Sequence, residues 1–236
     1  MSTMTMSDSV SITMRTYLSM TYLTSAALLA KKAHDIESGS DWLTVERARI
    51  PEHLAYSTGA IMLSAAAVEA FVNELFAECR DAGAQNHLRI PPEKAALIAR
   101  VWNDVPKVER ESVLEKYDLA LRLLDLSALD RKSDTYKAVD SLFALRNMLM
   151  HYKLVSREAG KPLAEQKLGD FEKKLRNFFP DSRLAGPGAP YFPQHVIGHG
   201  AAEWSVRTAV AFLDDFCGLL SAPPPYENIR PTFVTR

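Results

Sequence analysis

The chain of 236 residues has only two cysteines and almost no net charge. Cys79 and Cys217 lie far apart and lack the paired spacing of metal ligands, which argues against a disulfide scaffold or a structural zinc site. The sequence therefore predicts two buried thiols in a cytoplasmic protein. A net charge of -1 provides no overall positive field to attract nucleic acid, so such binding would need a local basic patch.

The N-terminal part also lacks a membrane or export signal. Residues 17–30 are apolar, but they are too short and too rich in serine and threonine to span a bilayer, which takes about 20 apolar residues. The residues before them have no basic start typical of a secretory signal. We expect neither export nor a membrane partner.

Several sequence signatures of enzymes are missing as well. We find no glycine-rich phosphate loop, no G-x-S-x-G elbow and no nucleophilic-cysteine signature. His195 and His199 form an H-x-x-x-H pattern, but Pro193 and Gly198 place it in a loop. The sequence therefore predicts no metal site and no cofactor.

Long alternating runs and internal repeats are absent too, so the sequence predicts no β-sheet. Helical periodicity and helix-favouring composition predict an all-α antiparallel bundle, with a single domain over 11–222. The predicted helices cover residues 11–37, 51–83, 91–104, 108–124, 134–155, 162–179 (weakened by Gly169) and 201–220. We expect a flexible tail at 1–10, a long proline- and glycine-rich loop at 180–200, and an extended tail at 223–236.

One predicted helix, residues 134–155, carries polar residues on an otherwise apolar pattern. Arg146 falls within a predicted apolar stripe, and Asn147 and His151 share one flank four residues apart. The stripe consists of Val139, Leu142, Phe143, Leu149, Met150 and Leu154. One interpretation is structural, with Arg146 reaching a carboxylate such as Glu69 or extending to the edge of the bundle. The other is that these residues form an active site.

The motif resembles that of the HEPN superfamily (higher eukaryotes and prokaryotes nucleotide-binding). That pattern is an Arg, a polar residue and a His after four to six intervening positions, filled here by Arg146, Asn147 and His151. The segment 64–76 is similar to an early HEPN helix in which a Glu and an Asn often occur, here Glu69 and Asn73. The resemblance covers about residues 50–220 and implies a HEPN-like bundle preceded by an extra N-terminal helix.

The resemblance also implies a function. Many HEPN domains are metal-independent endoribonucleases of toxin–antitoxin, phage-defence or RNA-processing systems. HEPN domains typically dimerise, so that two copies of the motif face one cleft. The expected partners are therefore RNA, a second copy of the chain, and an antitoxin or other protein from a neighbouring gene. Other members are non-catalytic modules that bind RNA, a nucleotide or a protein, and this remains the alternative.

The residue types suit metal-free RNA cleavage. Histidine, with an unperturbed pKa of about 6.5, can take the proton from a 2′-OH at neutral pH, which assigns His151 as general base. Arg146 would stabilise the negative charge that develops at phosphorus, and Asn147 would position the imidazole or a phosphate oxygen. Because Arg146 and His151 are about 140° apart around a helix, two facing helices are needed to aim both at one phosphate.

A local excess of basic residues follows the motif. Lys153 and Arg157 are candidate contacts to an RNA backbone, and Tyr152 is a candidate for stacking on a base. The alternative is that the two cations lie on a solvated helix face and that Tyr152 packs at the surface of the bundle. For each of these residues taken singly, the sequence favours this second interpretation.

Overall fold

The computed structural model describes residues 16–82, 88–105, 107–154 and 160–236, and every regular element among them is helical. This confirms the all-α class. The α-helices are α1 (Leu18–Ser38), α2 (Arg49–Ala82), α3 (Pro92–Asp104), α4 (Val113–Leu123), α5 (Asp134–Met150), α6 (Asp170–Leu175) and α7 (His199–Leu219). Shorter elements are the 3-10 helices Val108–Arg110, Leu163–Glu165 and Glu227–Phe233, and a π-helical turn at Tyr191–His195.

Helix α2 is the centre of the fold and packs against α1, α7, α3, α5 and α4. At its middle, Phe71 meets Phe216 of α7 edge-on, and Tyr117 of α4 meets Phe212 and Phe216 in the same way. The Tyr117 hydroxyl donates to the Val68 carbonyl oxygen at 2.7 Å. Among the described residues, α2 also has the length and hydropathy of a membrane span, with 56% of its most apolar window buried. Such a pattern is equally typical of a central core helix.

Helix boundaries differ from the predicted ones where a side chain caps the backbone. Residues 108–124 form a 3-10 turn and then α4, because Ser112 accepts the Glu115 N–H and starts a new helix. Ser133 caps α5 by accepting the Tyr136 N–H at 3.1 Å. The helix predicted over 162–179 is α-helical only over the six residues of α6.

The C-terminal segment, which we predicted as an extended tail over 223–236, contains a 3-10 helix and docks on α7. Tyr226 is fully buried, and its hydroxyl donates to Asp214 at 2.7 Å. The guanidinium of Arg230 donates to both Asp214 oxygens at 2.8 and 2.9 Å. Burial raises the pKa of Asp214, but the hydrogen bonds from Arg230 and Tyr226 outweigh it, so the net shift is downward. The tail is therefore part of the folded domain.

A buried polar network joins the segment 180–200 to the rest of the bundle. One oxygen of Glu37, Oε1, accepts hydrogen bonds from His53 Nε2 at 2.8 Å, Ser182 Oγ at 2.8 Å and the His199 N–H at 3.0 Å. A Cβ atom at Gly198 would come within 2.6 Å of the same oxygen, so the close approach needs glycine. The network connects the ends of α1, α2 and α7.

Cys79 and Cys217 are both buried and unbonded, as expected from the sequence. Burial raises the pKa of each thiol to about 12. Because the thiolate is the nucleophilic form, neither cysteine is suited to catalysis at neutral pH.

Candidate functional site

Helix α5 ends within the predicted motif. Its last residue is Met150, and His151 is the C-cap, whose N–H donates to the Asn147 carbonyl oxygen at 2.9 Å. The apolar stripe that we extended to Leu154 is wrong at its end, since Met150 is 54% and Leu154 91% exposed. Leu145 is the last fully buried residue of α5. Met148 and Leu149 still pack, partly buried, against the core, whereas Met150 and Leu154 lie outside it.

Arg146 is held by a carboxylate of α2. Its Nη2 atom lies 3.0 Å from Glu69 Oε2, with the two side chains 21% and 40% exposed. The guanidinium also lies over the ring of Phe143, 5.5 Å from its centroid, and contacts Met150 Sδ at 3.7 Å. The contact with Glu69 is the one named by the structural interpretation of the sequence. It also fixes the guanidinium at the surface where the motif lies.

The other motif residues are exposed. Among the described residues, the side chains of Asn147 and His151 make no hydrogen bond or ion pair, so both are open to solvent and to a ligand. Lys153 is exposed, and the half-exposed ring of Tyr152 lies 6.1 Å from that of Phe192. Arg157, the remaining predicted RNA contact, lies outside the described residues.

Asn73, one helical turn after Glu69, has a partner that the sequence did not indicate. The ammonium of Lys116 donates to Asn73 Oδ1 at 2.9 Å, although Lys116 is only 3% exposed. Burial lowers the pKa of Lys116, while the negative charges of Glu69 and Glu109 act in the opposite direction. Glu69, Asn73 and Lys116 thus form one electrostatic cluster with Arg146.

A signal for Lys116 existed in the sequence. Lys116 follows Val113 by three residues, so it lies on the same face of α4 as Val113, Tyr117 and Ala120, all of which are buried. A lysine on such a face needs a polar partner. The identity of that partner could not be derived, because it lies 43 residues earlier in the chain.

Beside this cluster, an open groove of about 530 Å³ runs along α2. Small side chains of α2 leave the space, and aromatic rings from α1 and α3 border it. Its lining includes Tyr22, Ala66, Glu69, Ala70, Asn73 and Trp102. The groove therefore joins Glu69, the partner of Arg146, to an aromatic surface.

The H-x-x-x-H pattern does not bring its two histidines to one centre. His195 belongs to the π-helical turn and lies 3.6 Å from Asp181, whereas His199 begins α7 and lies 3.7 Å from Glu203. Both rings are buried. Within the part of the chain that the structure describes, no three His, Cys, Asp or Glu side chains are grouped as metal ligands.

No protein-family model, curated protein or solved structure matches this chain significantly. The site at the end of α5 and the groove beside it are the features of the described residues whose chemistry points to a function.

Proposed function

We propose that the chain is a metal-independent endoribonuclease of HEPN type that acts as a homodimer in the cytoplasm, in a toxin or phage-defence setting. The observation that carries the proposal is the arrangement at the end of α5. There Glu69 holds the half-buried Arg146, and Asn147 and His151 are exposed beside it. In this proposal the helices 50–220 form the HEPN-like bundle and α1 is the additional N-terminal helix.

The reaction follows from the residue types. His151 removes the proton of a 2′-OH, and the 2′-oxygen forms a bond to the adjacent phosphorus while the bond from phosphorus to the 5′-oxygen breaks. The leaving 5′-oxygen takes a proton from water. Arg146 stabilises the added negative charge of the pentacoordinate phosphorus, and Asn147 positions a phosphate oxygen. The products are a 2′,3′-cyclic phosphate end and a 5′-hydroxyl end. Lys153 and Tyr152 are proposed to contact the RNA on either side.

A second copy of the chain completes the site. His151 follows Arg146 by five residues, so the two side chains leave the α5 axis in directions about 140° apart. Two facing copies can direct both groups at one phosphate. Exposed Met150 and Leu154 next to His151 support such a contact, because burying apolar surface favours association.

The alternative is a non-catalytic HEPN-like module that dimerises and binds RNA, a nucleotide or a partner protein. The ion pair between Arg146 and Glu69 favours it, because an arginine held by a carboxylate of its own chain can serve to join α5 to α2.

The test is digestion of single-stranded RNA by the purified chain in excess EDTA. We expect cleavage to persist, and mass spectrometry of the fragments should show 2′,3′-cyclic phosphate ends. Sedimentation should give a dimer. Cleavage that EDTA abolishes, or fragments with 3′-hydroxyl ends, would contradict the mechanism.

Arg146→Ala separates the two functions. As an endoribonuclease, the variant should lose cleavage while remaining a folded dimer, because the ion pair is partly exposed and such pairs contribute about 0–1 kcal/mol. If the variant instead dissociates, or melts far below the parent in a thermal denaturation, the non-catalytic module is favoured.

A further inference from the structure

The contact between Lys116 and Asn73 fixes the orientation of an amide. An ammonium can only donate hydrogen bonds, so the Asn73 atom 2.9 Å from Lys116 Nζ must be the carbonyl oxygen. The NH₂ group of Asn73 therefore points the other way. Among the described residues it has no hydrogen-bond partner, and Asn73 lines the groove. Lys116 thus makes Asn73 a donor toward the groove.

Glu69 provides an acceptor one helical turn away. Arg146 occupies its Oε2 atom, whereas Oε1 accepts no hydrogen bond from the described residues. Residues four apart on a helix have Cβ atoms about 5–6 Å apart on one face. The groove wall thus presents a fixed donor and a fixed acceptor side by side, at a spacing suited to one edge of a planar ligand.

Aromatic and small side chains make the groove suitable for a flat ring. Trp102 stacks on Phe76 with ring centroids 4.9 Å apart and still lines the groove, and Ala66 and Ala70 add little bulk to its wall. Bases of single-stranded RNA commonly stack on such rings. A planar base therefore has both a stacking surface and hydrogen-bonding partners.

The charges exclude a phosphate as the occupant. Among the residues that the structure describes, the lining contains the carboxylates of Glu69, Glu74 and Glu109 and a single cation, Arg80, which is paired with Asp81. Like charges would repel an anion. A neutral base with N–H donors fits such an acidic wall.

We propose that this groove binds a guanine base of the RNA substrate, an inference that rests on the proposed endoribonuclease function. Guanine presents an acceptor, O6, next to two donors, N1–H and N2–H. The Asn73 NH₂ group donates to O6, and Glu69 Oε1 accepts from the N–H groups. Adenine presents a donor where guanine has O6 and lacks the N1 proton, so it is discriminated against. Lys116 is the positioning residue for Asn73.

The test compares the binding of guanosine 3′-monophosphate and adenosine 3′-monophosphate to the full chain by calorimetry. We expect the guanine nucleotide to bind about tenfold more tightly or better, because a bidentate contact to a base edge discriminates by that order. Equal affinities would overturn the proposal.

Two variants test the orientation of the Asn73 amide and are expected to leave the protein folded. In Asn73→Asp, a carboxylate still accepts from Lys116 but faces O6 with a second acceptor, so the preference for guanine should disappear with no loss of thermal stability. Lys116→Met keeps the volume and frees the amide to rotate, so the affinity ratio should fall toward one. If Asn73 and Lys116 had a purely structural role, each variant would weaken the binding of both nucleotides by the same factor. Asn177→Asp, at an exposed site outside the groove, is the matched charge control and should change neither affinity.

A cleavage panel separates this inference from the proposed function. Oligonucleotides with a single guanine in an otherwise uniform sequence should be cut faster than their adenine counterparts. Cleavage without base preference would overturn the proposed guanine site but would not contradict the proposed nuclease activity. Selective nucleotide binding without any cleavage would overturn the nuclease and leave the guanine site standing.

Discussion

The His151→Ala variant is expected to cleave RNA about 10²–10⁴-fold more slowly than the parent, the range that general acid–base catalysis contributes. The side chain is exposed and makes no hydrogen bond with the described residues. Its removal should therefore change the free energy of unfolding by no more than about 0.5 kcal/mol. Initial rates on one RNA and a urea unfolding curve for each protein measure the two quantities.

Adding free imidazole distinguishes the loss of the general base from a change in the geometry of the rest of the site. Added to His151→Ala, it should restore part of the rate, because it can occupy the vacated position and accept the 2′-OH proton. Lys132→Ala, an exposed change at the other end of α5, is the control and should cleave as the parent does. A His151→Ala variant with parental activity would refute the proposed base.

Glu37→Ala is expected to destabilise the fold by about 3–5 kcal/mol. The substitution removes the acceptor of three hydrogen bonds and leaves His53, Ser182 and the His199 N–H as buried donors without it. Urea unfolding at neutral pH measures the loss. Glu46→Ala replaces an exposed glutamate and should cost no more than about 0.5 kcal/mol. A loss below about 1 kcal/mol for Glu37→Ala would show that the network contributes little.

The same network makes stability depend on pH. Burial raises the pKa of Glu37, but the hydrogen bonds from His53, the His199 N–H and Ser182 outweigh it, so the folded pKa is lowered. A lowered folded pKa means that the contribution is complete above the unfolded value, about 4.3, and is lost as the pH falls toward the folded value. Glu37→Gln cannot titrate, so its stability should fall less steeply below about pH 4.3 than that of the parent.

The sequence predicted the helices well where an apolar stripe matched a real core. It failed at the end of α5, because Met150 and Leu154 continue the helical spacing although no neighbouring element covers them. It also missed the docking of the C-terminal segment, since the decisive contact joins Arg230 to Asp214 of another element. Apolar periodicity identifies one face of a helix, but it does not show which element packs against that face.

The residues of the candidate site were also predictable from the sequence only in part. The motif indicated Arg146 and His151, and Glu69 was named as a carboxylate within reach of Arg146, which the ion pair confirms. The partner of Asn73 was not predictable, because choosing Lys116 among distant polar residues requires knowing how α2 and α4 pack. Long-range pairing is set by tertiary contacts and has no signature at either position.

The geometry of the Glu37 network has a consequence for the rates of folding and unfolding. Its three donors lie 16, 145 and 162 residues further along the chain, so the carboxylate is satisfied only after both ends of the bundle have met. Contacts that form after the transition state slow unfolding without speeding folding. Glu37→Ala should therefore increase the unfolding rate and leave the refolding limb of a urea chevron unchanged. Slower refolding would instead place the network in the folding nucleus.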